Sequence, residues 1–518
     1  MKNFLKTILG PNTFVLALIL IAAGLPLSPF LISAGIVILV LNWLAEGNFK
    51  YKSNELFQNK ALWAFCAIYI IHLVWLFITS DFQYGLKDIK IKLPLLLIPL
   101  VVATSEFPSA KSIRWIFGVF IASTIISTII ITLIVFGFID FNYTDIRHAS
   151  IFISHIRLSL YIALIVIALL YAICENIVTF KATSIAIIIW LISFLVLLQA
   201  MTGIVVLLIT STLLFFIFYY KKSTFAIRLL AICVFVLLFV SCAIYIRCVY
   251  QNFINFDTRD TQNLATKTIN GNPYIHNSDD PNFENGHWTG YFYCAKELEN
   301  EWVRRSNFPI DSLDRKSQPI RYTLMKYMTS LDLKKDSVGI WALSDMDIRS
   351  IEDGTTNFIA NKKFSLYSRI YIIIEEFYWY NKGRLPVGNS VTQRFLFGSI
   401  ALEIIKKNPL LGVGTGDVSK SYAEVYKIKY PTIPEKFRLR AHNQFLTFAI
   451  AFGIPAMLII IVFFLFPVFS RKKDFLQYSI LIIMMLSFVN EDTLETQSGA
   501  TFFALFYALF VFAKSKST

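Results

Sequence analysis

Between Gln393 and Gly453 the chain places an arginine (Arg394), a GVGTGD loop and an RLRAHNQ segment immediately ahead of a long apolar run. Guanidinium groups such as those of Arg394, Arg438 and Arg440 form bidentate hydrogen bonds with phosphate oxygens; ordinary interfacial cations would have the same composition. The imidazole of His442 can take a proton near neutral pH, or serve only as a polar anchor. Gly412, Gly414 and Gly416 could expose successive backbone N–H groups as a nest for a diphosphate, or could form a turn that needs positive φ. The loop lacks the GK[ST] ending of a nucleotide-binding loop, so an ATP site is excluded. Asn443 is a suitable N-cap, and the helix it opens would turn the positive end of its dipole toward His442 and attract anions.

Other polar groups stand at the ends of apolar runs. Arg157 opens one within SHIRLSL and faces the same choice between phosphate ligand and interfacial cation. Glu491, Asp492 and Glu495, in EDTLETQ, could orient an acceptor or the arginines, or form a solvated turn. Lys90 and Lys92 are expected to snorkel at an interface. His148 and His155 lack a carboxylate pair, and no Cys/His cluster has zinc spacing, so no metal is expected. Only Cys248 and Cys294 fall where a disulfide could persist, and their spacing leaves pairing open.

These groups need a membrane scaffold to position them. Apolar residues make up 56% of the 518 and aromatics 16%. Runs of near-spanning length recur at roughly 13–25, 30–45, 61–79, 90–104, 113–137, 158–173, 184–200, 203–219, 228–246, 443–468, 476–489 and 499–513. The predicted fold is an all-α polytopic membrane protein of about twelve spans. Its first run reads as an ordinary span and not as a cleaved signal peptide.

With a cytoplasmic N-terminus, alternate connections collect Lys2, Lys6, Lys50, Lys52, Lys60, Lys111, Arg114, Lys181, Lys221, Lys222, Arg228, Arg471, Lys472, Lys473, Lys514 and Lys516 against Glu46, Glu55, Glu106, Glu175 and Asp474, the positive-inside pattern. This asymmetry accounts for most of the formal charge of +14, so the basic balance needs no nucleic-acid partner. The loop near 138–157, the turn from Gln199 to Gly203, the segment 248–441 and the EDTLETQ loop then share the outer face. Residues 248–441 are too long for a bare loop and are expected to form a mostly helical domain between an N-terminal membrane region (1–247) and a C-terminal one (442–518). Ser344 should cap a helix over MDIRSIEDG, and Leu366 to Tyr380 and Thr392 to Lys407 should be amphipathic helices.

VTQRFLFGSIALEIIKKNPLLGVGTGD followed by RLRAHNQFLTFAIAFGI resembles the signature of the O-antigen ligase and polymerase superfamily. SHIRLSL, ELENEWVRRS, YTLMKYMTSLDLKKD and NEDTLETQSGATFFALF are similar to its Bacteroidetes-type branch, so the resemblance covers nearly the whole chain. It implies a GT-C-type glycosyltransferase of the bacterial inner membrane, without cofactor or metal. Such an enzyme moves a glycan from undecaprenyl diphosphate to lipid A-core or another glycan acceptor on the periplasmic face. By the same resemblance Arg157, Arg394 and His442 are the catalytic positions, with Arg157 and Arg394 acting together on the diphosphate and His442 accepting the hydroxyl proton or orienting the acceptor. A polymerase or protein oligosaccharyltransferase of the same superfamily is the near alternative. A lipid or polysaccharide transporter is the remote one, since ionisable residues cluster at the outer interface and not at the midplane. Three departures stand out: Asn389 where relatives often show a histidine, Pro455 where a glycine is common, and QAMTG without the Ser-Arg pair usual at that turn. Pro455 should kink its helix near Ala451.

Overall fold

The computed structural model describes residues 10–107, 109–141, 143, 145–257, 264–361 and 365–515. Lys2, Lys6 and Lys516 lie outside them. Helices α1 (Pro11–Leu27), α2 (Pro29–Glu46), α3 (Phe49–Gln58), α4 (Lys60–Val74), α5 (Phe82–Lys92), α6 (Pro94–Thr104) and α7 (Ala110–Val135) come first. They are followed by α8 (His155–Cys174), α9 (Lys181–Leu197), α10 (Met201–Leu214) and α11 (Phe225–Ile254). Next are α12 (Ala295–Arg305), α13 (Ile320–Ser330), α14 (Ser337–Ala342), α15 (Asp345–Glu352), α16 (Leu366–Asn381), α17 (Thr392–Lys407) and α18 (Val418–Lys429). The chain closes with α19 (Gln444–Phe469), α20 (Phe475–Asn490) and α21 (Gln497–Tyr507). The strands are two-residue pairs: β1 (Glu106–Phe107) beside β4 (Lys514–Ser515), and a β2 (Phe283–Glu284) and β3 (His287–Trp288) hairpin.

Every apolar run of the sequence is helical here. Seven helical stretches are long and apolar enough to cross a membrane, and four shorter ones are apolar. The remaining run is α6, with only 11 residues. Pro and Ser punctuate the bundle as helix physics requires: Ser28 caps α2, whose first residue is Pro29. The multi-pass membrane character therefore rests on an apolar bundle whose single core runs from Phe14 in α1 to Phe512 beyond α21.

Two helices differ from the rest. α11 buries only Val249 and Phe253 among its 30 residues, both at its C-terminal end. Its other faces are exposed apolar surface suited to lipid, and its end joins Ile370 and Tyr371 of α16 and Phe283 of β2 in a small separate cluster. α19 is broken at Gly453 (φ 82°, ψ 167°), two residues before Pro455 and two beyond Ala451, so the expected kink is a full interruption.

Residues 248–441 combine helices with long irregular connections, and α12 to α15 enclose their own core around Trp302, Leu324, Tyr327 and Ile351. Ser344 caps α15 in a reciprocal capping box with Asp347. α17 and α18, which follow, pack into the main membrane core through Leu396, Phe397, Ile400 and Tyr422. The independent core is thus smaller than the 248–441 segment, and α11 extends past residue 248 into it. All six cysteines are free; Cys248 is exposed on α11 and Cys294 is buried, so the pairing left open by spacing is not made.

Candidate active site

Four segments distant in sequence line one cavity of about 500 Å³: Arg147 from the loop before α8, Gln199 to Thr202 at the start of α10, Arg369 and Arg394 from α16 and α17, and Asn490 at the end of α20. They are the four connections that the charge pattern assigns to a single face. Arg369 is buried, 7% exposed, and donates to Ser390. Among the described residues no carboxylate lies in ion-pair range of it. Burial, then the nearby charge of Arg147, lowers the Arg369 guanidinium to about 10. Burial also lowers Arg394, which bonds Asn490 and stands 3.8 Å from Glu491. Arg147 is held by Asp145 through bonds of 2.6 to 3.1 Å. Glu376 caps the start of α17 instead of pairing with Arg369, accepting from the Val391 and Thr392 N–H groups at 2.8 and 3.2 Å.

Arg147 and Arg369 were not among the sequence candidates. Arg147 immediately precedes His148 in the loop considered only for metal, and His148 proves exposed while His155 lines the cavity. The one available signal for Arg369 was a lone cation in the apolar stretch LYSRIYIII. At the QAMTG turn, which lacks the arginine, Gln199 donates to Ser368, beside Arg369, at 3.0 Å.

Next to Arg394 the EDTLETQ turn meets the RLRAHNQ segment. His442, in a left-handed conformation (φ 47°), places Nδ1 3.5 Å from Asp492 and 3.7 Å from Glu491. Neither approach makes a hydrogen bond, and both His442 Nδ1 and Glu491 Oε2 are buried without a hydrogen-bond partner. Burial alone would lower the imidazole, but the Asp492 and Glu491 carboxylates outweigh it and raise it to about 9. Arg440 bonds Glu495 at 3.2 Å and lies 3.8 Å from Asp492. Burial would raise Glu495, yet Lys92 and Arg440 hold it well below the carboxylate range. Lys92 is itself buried, paired with Asp88 and, at 3.0 Å, with Glu495, so it anchors this turn and does not snorkel. EDTLETQ is accordingly no solvated turn: Glu491, Asp492 and Glu495 alternate with His442, Arg440 and Lys92 in a chain that is electrically balanced when His442 is protonated.

Several expected ligand groups are occupied by the protein. The Val413 and Gly414 N–H groups donate to Ile450 and Ala451 at 2.8 and 2.9 Å, and Gly416 donates to Thr79 Oγ1 at 2.7 Å. Those carbonyls are the ones freed by the break at Gly453, so the loop satisfies an interrupted helix. Gly412 (φ 67°) admits no side chain, since a Cβ would lie 2.5 Å from the Ala451 backbone. Asp417 locks the loop by accepting from Ser80 and Asp81 N–H at 2.7 and 2.8 Å. Gly412, Gly414 and Gly416 therefore act as a turn and not as an anion nest. Arg438 spends its guanidinium on the Ile433 and Pro431 carbonyls. Asn443 is the N-cap of α19 and also donates to Val489. Asn389 only bonds Thr392.

The structure separates the two arginines expected to act together. Arg157 does not line the three-arginine cavity but a second one of about 340 Å³, with Ser150, Ser154 and Ser498. Two groups could hold a cation among the described residues: His442 with Glu491 and Asp492, and Asp257, His287 and Asp332 in the 248–441 segment. In the first, Arg394, Arg440 and the imidazole proton already supply the positive charge.

A helical bundle with a cluster of three arginines beside a histidine–carboxylate chain defines a multi-pass membrane protein with a cation-lined cavity. Residues 354–461, from before α16 through the GVGTGD loop into α19, match the family described as O-antigen ligase. That match supports membership in the O-antigen ligase superfamily, whose members are membrane glycosyltransferase-like ligases and polymerases. No curated protein matches it.

Proposed function

We propose that the protein is an O-antigen ligase of the bacterial inner membrane, transferring a glycan from undecaprenyl diphosphate to lipid A-core on the periplasmic face with inversion at the anomeric carbon. The observation that carries this reading is the cavity lined by Arg147, Arg369 and Arg394, in which the buried Arg369 has no carboxylate in ion-pair range among the described residues. A diphosphate supplies the missing charge, and its charge grows as the glycosidic bond breaks, which the preorganised guanidinium groups stabilise. The cavity also fits the rest of the donor. Its walls become apolar along Val205 and Ile209 of α10 and Leu486 of α20. Leu486 is shared with a further cavity of about 660 Å³ that runs past Leu213, Ile217 and Met485 as far as Lys473. Two neighbouring apolar cavities that share Leu486 suit a polyprenyl chain.

Transfer needs the acceptor hydroxyl oxygen to bond to the anomeric carbon as the bond to the diphosphate oxygen breaks, the pair of electrons leaving on undecaprenyl diphosphate. The hydroxyl proton must go to a neighbouring base. His442, raised to about 9, already holds its proton at neutral pH, so the acceptor role first expected of the imidazole passes to a carboxylate. Glu491, whose buried Oε2 has no hydrogen-bond donor, stands between Arg394 and His442 and is the base in this reading. Protonated His442 holds the carboxylates in place and keeps the site electrically balanced.

The test is a lipopolysaccharide gel with mass spectrometry of surface glycolipid and undecaprenyl-linked pools in cells lacking the gene. Ligase activity predicts bare core with long polymer left on undecaprenyl diphosphate. Core bearing a single repeat would identify a polymerase instead, and an unchanged profile would redirect the search to protein glycosylation.

A further inference from the structure

The three-arginine cavity accounts for one anionic substrate, and Arg157 is not part of it. Among the described residues the Arg157 guanidinium has no hydrogen bond or ion pair, and its Nε is buried without a partner. Arg157 is half-buried, and a guanidinium without a partner there is well placed to take up an anion. It lines the second cavity of about 340 Å³, at which the first turns of three helices meet: Pro29 and Ile32 of α2, Arg157 of α8 and Ser498 of α21. The Ser154 hydroxyl, at the N-cap of α8, makes no capping bond. The Ile156 and Arg157 N–H groups have no acceptor among the described residues. The uncapped N-terminus of α8, the Ser154 hydroxyl and an unpaired arginine all favour negative charge at the same place. The remaining wall, Leu25, Ile151, Phe152 and Ile153, is apolar.

We infer that this second cavity binds the phosphate of the acceptor glycolipid, so that donor and acceptor lipids are held by separate arginine sites on either side of the Glu491–Ser498 turn. The inference rests on the transferase reading above. Glu491 is in ion-pair range of Arg394 and follows Asn490, which lines the donor site, and Ser498, seven residues on, lines the acceptor site. One short segment thereby links the two pockets.

Binding to the full-length protein in nanodiscs tests the assignment, with lipid A, dephosphorylated lipid A, inorganic phosphate and undecaprenyl diphosphate as probes. Arg157→Ala should weaken lipid A binding at least about tenfold, roughly the contribution of a charged hydrogen-bonding partner. It should leave undecaprenyl diphosphate binding unchanged, which also shows that the variant is folded. Arg157→Lys should restore part of the loss, and dephosphorylated lipid A should bind the wild type as weakly as lipid A binds Arg157→Ala. Inorganic phosphate should compete only at far higher concentration than lipid A; equal potency would mean a free-phosphate site and overturn the lipid assignment. Loss of undecaprenyl diphosphate binding in Arg157→Ala, or equal binding of both lipid A forms, would also overturn it. Arg394→Ala separates the two readings: if it leaves undecaprenyl diphosphate binding intact, the donor site is wrong whatever Arg157 does.

Discussion

GVGTGD and EDTLETQ are both short polar segments between apolar helices, and both could be ligand loops, yet the fold uses them in opposite ways. The first directs its N–H groups into the break of α19 and is sealed by Asp417 against Ser80 and Asp81. The second presents Glu491 with an unbonded buried oxygen next to Arg394 and His442. Polar groups near a membrane interface are thus informative according to what they have left over after the backbone is satisfied. The arginines divide in the same way: Arg438 is consumed by two carbonyls, whereas Arg369 is buried with only a serine.

The comparison can be broken most directly at Arg369. Arg369→Glu should abolish transfer, with a loss beyond the ~10²–10³ typical of removing one transition-state donor, measured as glycan transfer by membranes matched for protein level. Activity within tenfold of wild type would remove Arg369 from the donor site. Glu491→Gln should lower kcat by about 10²–10⁴ with undecaprenyl diphosphate binding retained; a change confined to KM would make Glu491 a binding group only.

Gly412→Ala should behave in the reverse manner. A Cβ at positive φ against the Ala451 backbone should cost about 1–3 kcal/mol through strain, lowering the melting temperature and yield while the folded fraction keeps its specific activity. A kinetic defect without destabilisation would return the loop to the ligand role.

A fourth, smaller effect concerns pH. Because the folded His442 is raised to about 9 from an ordinary 6.5, its pairing with Asp492 and Glu491 contributes fully below about 6.5 and is lost as pH rises through 9. Melting temperature should fall across that window in the wild type and fall less in His442→Gln. The same slope in both proteins would show that the imidazole is not the titrating group. Arg438→Ala should have the smallest influence on transfer, with a loss of about 1–2 kcal/mol from its hydrogen bonds to carbonyls, visible as reduced thermal stability with kcat intact.

Much of the secondary structure was legible because it depends on local properties. The helices expected over Leu366 to Tyr380 and Thr392 to Lys407 appear as Leu366–Asn381 and Thr392–Lys407, and the caps at Ser344 and Asn443 are in place. The candidate site was legible only in part. His442, Arg394, Arg440, Glu491 and Asp492 come together as named, whereas Arg157 lies in another cavity and Arg147 and Arg369 enter unannounced. Lys92 was misread for a related reason: a lysine at the end of an apolar run looks like a snorkelling residue until Asp88 and Glu495 are seen around it.

Composition, hydrophobic period and charge asymmetry by themselves determined that this chain is a helical membrane protein with its candidate chemistry gathered at one face. Those properties act along a single helix or loop, so no partner is needed to read them. Which polar groups are free for a ligand was decided only by tertiary structure. A guanidinium, a carboxylate or a backbone N–H becomes available or spent according to neighbours hundreds of residues away, as Asp417 is spent on Ser80 and Asp81 while Arg369 is left to face Arg394 and Arg147.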